Sequence, residues 1–299
     1  MISVIISSVN KTLLANVRQN IADTIGVPFE IIAIDNSKGE RGLCAVYNDG
    51  ASRAQYGVLC FMHEDISMKT QNWGQNVIDL FRADPGVGLI GVAGSSYKPL
   101  TPSAWQGTGG RGTDYMNILQ SFKQLPGEPQ LFYSNRHNQK VTEVACVDGV
   151  WFCTTKEVLS KVRFDEETFR SFHAYDLDFS MTVRQHYKAI ITYDVLMHHF
   201  SDGNFNVDWF LEVLKFHKKW SNQLPAETEK LTPAEKLLIE KITFRTFVEY
   251  MVQAKLPIAE AYQILWRDNR FLKLYPSLFF KMHNFIRKAY SAAHKEGRL

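Results

Sequence analysis

Val58-Leu59-Cys60-Phe61-Met62-His63-Glu64-Asp65 passes in one step from five apolar residues to three polar ones. A short apolar run bounded by Gly57 and a charged cluster reads as a buried strand. In an open α/β sheet the carboxylates would stand beyond the strand's carboxyl end, where such sheets bind ligands. The flanking sequence supplies that sheet. Residues 2–7 and 29–34 are compact apolar strands, and residues 10–25 and 42–55 read as helices. Residues 73–83 and 87–93 then repeat helix and strand. Strands alternating with helices predict βαβ units and a largely parallel sheet. Three strands end in polar clusters, Ser7-Ser8-Val9-Asn10, Asp35-Asn36-Ser37 and His63-Glu64-Asp65, which are expected on one rim.

Residues 94–140 are rich in Gly, Ser, Pro and Asn and read as a long loop. Its run Gly107-Thr108-Gly109-Gly110-Arg111-Gly112 is expected either to close over a bound ligand or to be plain surface. Residues 141–153 return to strand character and 155–161 read as a short helix. A helix over 175–186 begins with two aspartates, and a strand over 189–197 ends in His198-His199. Beyond about residue 205 helical patterns take over. Thr232-Pro233-Ala234-Glu235 has the residues of a capping box, with Pro at the first helical position. The chain is therefore divided into residues 1–210, an α/β domain, and residues 211–299, a helical region.

The 299 residues are 45% apolar and 22% charged, with a formal charge of +3. That composition suits a globular protein and gives no reason to expect nucleic acid as a partner. The four cysteines, Cys44, Cys60, Cys146 and Cys153, form no CxxC pair and are expected as buried free thiols in a reducing compartment. The N-terminal residues lack the marks of a signal peptide, and no apolar run approaches the roughly 20 residues of a membrane span. A cytoplasmic protein is expected, with surface attachment to a membrane left open. Gly86-Val87-Gly88-Leu89-Ile90-Gly91 matches GxGxxG, but its glycines fall within a strand. The dinucleotide pattern requires them after a strand and at a helix start.

Chemistry concentrates at three places. His63-Glu64-Asp65 offers oxygen ligands at a strand end, suited to a hard divalent cation that neutralises a diphosphate. A solvated turn is the ordinary alternative. Asp176 and Asp178 either favour a helix N-terminus or supply a general base. Being two apart on a helix, only one of them can face a reaction directly. His198 and His199 point to opposite faces of a strand, so one of the two can join a metal site.

In order and spacing these elements resemble the family 2 type glycosyltransferases of the GT-A fold. Val4-Ile5-Ile6-Ser7-Ser8-Val9-Asn10 is similar to their opening strand, with Ser7 for the usual Pro and Val9 for Tyr. Ile34-Asp35-Asn36-Ser37 resembles their nucleobase-holding aspartate motif. The stretch from Gly42 to Asp65, with Asn48, resembles the segment leading to their DxD motif. Here His63 replaces the first Asp, as in a StrF-like subgroup that Phe164-Asp165-Glu166 and residues 172–180 also resemble. The resemblance covers about residues 2–205. It implies a mixed, mostly parallel sheet with C-terminal helices, and an enzyme that transfers a hexosyl group from a nucleotide diphosphate sugar with a bound Mn or Mg ion. It places Ser8, Asn10, Asp35, Asn48, His63, Glu64 and Asp65 at the donor. Asp65 and His199 would bind the metal, with His198 as the alternative. Asp148, Gly149 and Trp151 fall on the acceptor side, and Asp176, ahead of Asp178, takes the place of the base, with Tyr175 where a Glu is usual. The implied partner is a glycan or lipid-linked acceptor, in polysaccharide or glycoconjugate synthesis. A domain that binds nucleotide or glycan without transfer is the competing expectation. Aromatic and basic residues mix at 266–273 and 279–288. They read first as helices packed on the core with cations outside, and second as a surface for peripheral contact with an anionic membrane.

Overall fold

A computed structural model describes residues 1–107, 112–122, 125–201, 203 and 206–298. The first half follows the predicted alternation: β1 (Ile2–Ser8), α1 (Lys11–Thr24), β2 (Phe29–Asp35), α2 (Leu43–Arg53), β3 (Val58–Met62), β4 (Ile66–Met68), α3 (Trp73–Ala83) and β5 (Val87–Gly91). Next come β6 (Ala93–Ser95), β7 (Tyr97–Lys98), β8 (Asp114–Phe122), β9 (Leu125–Ser134), β10 (Val141–Val144), β11 (Cys146–Val147) and β12 (Trp151–Thr155). The chain continues through α4 (Lys156–Lys161), α5 (Tyr175–Val183), β13 (Lys188–Thr192), β14 (Met197–His199), α6 (Val207–Lys219) and β15 (Ala226–Glu227). It ends in α7 (Pro233–Gln253), α8 (Ile258–Trp266), α9 (Arg270–Leu274) and α10 (Pro276–Lys295).

Seven strands form a mixed sheet in the order β10-β13-β5-β12-β3-β1-β2. β1 lies parallel to both β2 and β3, whereas β12 enters antiparallel between β3 and β5. A second sheet runs β11-β6-β8-β14-β4, with β9 on β8, and β15 pairs with β7. Period-two alternation divides the core. Ile5, Leu59, Phe61 and Phe152 face one side, while Val4, Ile6, Cys60 and Met62 face the other with Trp73 and Trp151. The first of these cores continues without a break through Phe210, Phe216, Phe244, Phe247 and Phe279 of the C-terminal helices. Each such side chain contributes about 1.5–3 kcal/mol when fully buried.

Three expectations are corrected. The loop expected over 94–140 contains the β8–β9 hairpin, because β8 buries Met116 and Ile118 and pairs with both β6 and β14. Its turn-forming composition hid strands whose partners are distant in sequence. The strand expected over 87–93 breaks at Val92, where the chain leaves the first sheet and enters the second as β6. The strand expected over 189–197 divides in the same way into β13 and β14. Gly88 and Gly91 lie inside β5, so the GxGxxG match opens no helix. Asn10 caps α1, and Thr232 and Glu235 close the capping box of α7. All four cysteines are free and buried. α6 straddles the expected boundary at residues 210 and 211. In α10, Phe279, Met282 and Ile286 are buried while Phe280, Lys281, Arg287 and Lys288 face outward. Among the described residues no helix is long and apolar enough to cross a membrane.

Candidate active site

β3 delivers His63 to the rim, and the chain turns through Glu64 and Asp65 into β4. β14 then pairs antiparallel with β4, His199 opposite Ile66, and so brings His199 beside Asp65. His63 Nδ1 is 3.8 Å and His199 Nε2 3.7 Å from Asp65 Oδ1. One ligand atom from each residue lies within 4.8 Å of the others. Burial alone would raise the Asp65 pKa, but His63, the Ser201 hydroxyl and His199 outweigh it and hold the carboxyl below its usual range. Burial lowers the pKa of His63, with partial opposition from Asp65, which favours the neutral imidazole a metal requires. Two atoms each about 2.1 Å from one ion lie about 3 Å apart at a right angle and about 4.2 Å apart when opposite. Both separations to Asp65 Oδ1 fall between these limits, so each histidine–Asp65 pair fits a shared divalent ion.

His198 faces the other way, as adjacent strand residues must. Its Nε2 is 2.8 Å from Ser121 Oγ and its ring packs on Phe200 at 4.0 Å. It is not part of the cluster. Glu64 is buried and accepts from Ser8 Oγ (2.7 Å), Val9 N (3.1 Å) and Asn10 N (2.9 Å). It ties the carboxyl ends of β1 and β3 together. Ser8 and Asn10 thus reach the cleft through Glu64 and do not line it themselves. Asp35 is exposed and accepts from Ser37 N at 2.9 Å; its neighbour Asn36 reaches the cleft instead. Asn48 is occupied at both ends, donating to Phe164 O (2.9 Å) and accepting from Phe164 N (3.2 Å). It is a clamp between α2 and the segment before α5.

The opposite wall is built by Asp148-Gly149-Val150 and α5. Gly149 N donates to Asp176 Oδ2 at 3.0 Å. Burial, reinforced by the negative charge of Asp148, pushes the Asp176 carboxyl up to about 7. Asp178, two residues on, points away from the cleft. It is 1% exposed and is held by Lys219 Nζ (2.7 Å) and Trp220 Nε1 (2.7 Å). That location does not suit a base for a substrate in the cleft. Trp151 is also set aside from the acceptor side: it is fully buried in β12, against Trp73 at 5.9 Å.

The cleft has a volume of about 1050 Å³ and is lined by His63, Asp65, Asp148, Gly149, Asp176 and His199, among others. The sequence reading missed Trp105, Phe172, His173, Asn206, Asp208 and Trp209, which also line it. Asn206 carried a legible signal, as the cap of α6 accepting from Trp209 N at 2.9 Å. Nothing local showed that this cap faces the cleft. Gly107 and Gly112 flank residues 108–111, so the expected closure of that glycine run lies outside the described residues.

A mixed sheet with its polar rim facing a cleft walled by helices defines the GT-A class of nucleotide-diphospho-sugar transferase folds. A model described as "Glycosyltransferase like family" matches residues 3–223, and the chain belongs to that family. Over 202 residues it is 26% identical to the streptomycin biosynthesis protein StrF of Streptomyces griseus, covering 64% of this chain. The match spans 65% of StrF's own length, just under two-thirds. The fold is similar to S. aureus TarS 1–349 in complex with UDP, with TM-score 0.56, 14% identity, and 99% of this chain and 91% of that chain covered. It is also similar to the mannosyltransferase PcManGT of Pyrobaculum calidifontis in complex with GDP-Man and Mn²⁺. There the TM-score is 0.50 and the identity 13%, with 98% and 86% of the two chains covered.

Proposed function

We propose that this protein is a glycosyltransferase that moves a sugar from a nucleotide diphosphate sugar to an acceptor hydroxyl, with inversion at the anomeric carbon. One observation carries the reading. A single cleft joins a His–Asp–His cluster at the strand ends to a carboxylate, Asp176, whose proton affinity is raised into the neutral range. The UDP in the TarS complex and the GDP-Man and Mn²⁺ in the PcManGT complex support the donor class.

In this mechanism Asp176 takes the proton of the acceptor hydroxyl as that oxygen bonds to the anomeric carbon. Attack comes from the face opposite the diphosphate, whose bond to the same carbon breaks and whose oxygen keeps the electron pair. The Gly149 N–H sets the direction of the Asp176 carboxylate before the acceptor arrives. We assign Asp65 and His199 to a divalent ion, Mn or Mg. Such an ion would supply positive charge to offset that of a departing diphosphate. Glu64 fixes the rim on which the nucleotide rests, near Ser8, Asn10 and Asp35. Asp148 and Gly149 form the acceptor side. Residues 1–210 carry the reaction, and the region 211–299 buttresses it. Glycoconjugate or cell-surface polysaccharide synthesis is the setting we infer.

Calorimetric titration of UDP, GDP and dTDP, each with and without Mn²⁺, into the wild type and Asp65→Ala tests this reading. Tight binding of one diphosphate that needs both Mn²⁺ and Asp65 is the expected result and identifies the donor base. Binding without turnover of the corresponding nucleotide sugar would favour a binding module, and no binding by the folded protein would remove the donor site altogether.

A further inference from the structure

The proton positions on both histidines of the cluster are set by their neighbours. Tyr175 is buried, and its hydroxyl donates to Gly149 O at 3.0 Å while lying 3.0 Å from His63 Nε2. A carbonyl oxygen only accepts, so the single hydroxyl proton is committed to Gly149. The contact to His63 is then a hydrogen bond only if Nε2 carries the imidazole proton. Nδ1, the atom that faces Asp65, is left with a lone pair. His199 follows the same logic. Gln120 Nε2 donates to Ser121 O (2.8 Å) and Ser201 O (2.7 Å), which turns Gln120 Oε1 toward His199 Nδ1 at 3.1 Å. With its proton on Nδ1 toward Gln120, His199 has a lone pair on Nε2, which lies 3.2 Å from the Ser201 hydroxyl and 3.7 Å from Asp65 Oδ1. Room for the Tyr175 hydroxyl depends on residue 149 being glycine, because a Cβ there would overlap it. The His63 ring is also flanked by Phe172, with centroids 5.4 Å apart.

We infer that Tyr175 is a positioning residue that makes His63 the third ligand of a metal centre formed by His63 Nδ1, Asp65 and His199 Nε2. A centre with two imidazoles and one carboxylate favours first-row transition ions, Co²⁺ and Mn²⁺ included, over Mg²⁺, which keeps to oxygen donors and water. Tyr175 acts as the partner that fixes ring orientation and tautomer of a ligating histidine. This inference rests on the proposed metal at Asp65 and assigns His63 to the ion rather than to the nucleotide.

The test uses the full chain with MnCl₂, MgCl₂ and CoCl₂. Free Mn²⁺ is followed by electron paramagnetic resonance, and thermal melting is used to confirm folding of each variant. Mn²⁺ is expected to bind at least about tenfold more tightly than Mg²⁺. Tyr175→Phe, which keeps the ring and removes the hydroxyl, should weaken Mn²⁺ by about 10–100-fold. Tyr175→Phe binding Mn²⁺ like the wild type, while Asp65→Asn loses it, would overturn the role of Tyr175 and leave the metal site standing. Absence of Mn²⁺ binding by the wild type would overturn both. Pulsed resonance on the Mn²⁺-loaded wild type needs no variant. Two coupled imidazole nitrogens are expected, and a single one overturns His63 as a ligand.

Discussion

Among the described residues, a cluster of titratable side chains behind the cleft and one inside it have residue types that are much alike. Behind the cleft, Glu240 of α7 accepts from Leu100 N (2.7 Å), Thr101 N (3.0 Å), Thr101 Oγ1 (2.8 Å) and Tyr97 Oη (3.0 Å). Beside it, Lys98 Nζ reaches Ser103 O (3.0 Å), Ser103 Oγ (2.6 Å), Ala104 O (3.1 Å) and His217 Nε2 (3.1 Å). Both Lys98 and Glu240 are fully buried, and burial pulls the Lys98 pKa down to about 8. In the cleft, His63, Asp65 and His199 are only partly covered, and a ring nitrogen of each histidine is turned toward one carboxylate oxygen. The first cluster has its hydrogen-bonding capacity filled from within the protein. The second is open and holds geometry that an added cation would complete. A perturbed ionisable group points to function only when a substrate can reach it.

The contrast can be broken by mutation. The largest effect is expected for Asp176→Asn, which should lower the transfer rate by about 10²–10⁴-fold while leaving nucleotide affinity near the wild-type value. Radiolabelled sugar transfer and calorimetry together check this. Glu240→Ala should cost about 3–5 kcal/mol in urea unfolding, since four buried donors lose their acceptor. Retained stability in that variant would mean that the rear network is not structural. Asp65→Asn should do the reverse, abolishing Mn²⁺ binding while shifting unfolding by roughly 1 kcal/mol or less.

The acidity of Asp176 sharpens the comparison further. As a base it must be ionised, so the transfer rate should climb with pH through about 7, the value to which its carboxyl is raised. Asp148→Asn removes the neighbouring negative charge and should move that midpoint downward. The stability consequence has the opposite sign. Asp176 contributes stability below the ordinary carboxyl value of 3.8, and that contribution is lost as pH rises through about 7. Asp176→Asn should therefore be more stable than the wild type above neutrality in urea unfolding, by roughly 4 kcal/mol at most. The smallest effect is expected at Phe280, which is 67% exposed on α10. Phe280→Ser should change stability by no more than about 0.5 kcal/mol. It should also leave flotation with anionic vesicles unchanged, as fits a helix that turns its other face to the core.

Much of the fold was legible because local rules were strong there. The apolar runs of β1, β2 and β3, the helices between them, and the caps Asn10 and Thr232 all express short-range preferences. The β8–β9 hairpin was not legible. Its register is set by β6 and β14, and no residue within it signals those partners. In the site, the family resemblance pointed to Asp65, His199 and Asp176, while the residue pattern alone pointed only to the strand and helix ends that carry them. It did not separate His198 from His199 or Asp176 from Asp178, because it supplies a period and no phase.

Short stretches of sequence account for the alternation of strands and helices, the polar rim that ends three of those strands, and the family those patterns resemble. These follow from apolar periodicity and backbone preference, which act over a few residues. Long-range packing sets which nitrogen of His63 faces Asp65, which aspartate of α5 meets the cleft, and that Asn206 and Trp209 of α6 help to wall it. Those facts depend on contacts such as Tyr175 with His63, 112 residues apart, and on a glycine at position 149 that leaves space for the tyrosine hydroxyl. Side-chain direction across such distances is fixed by packing, which no local pattern in the chain encodes.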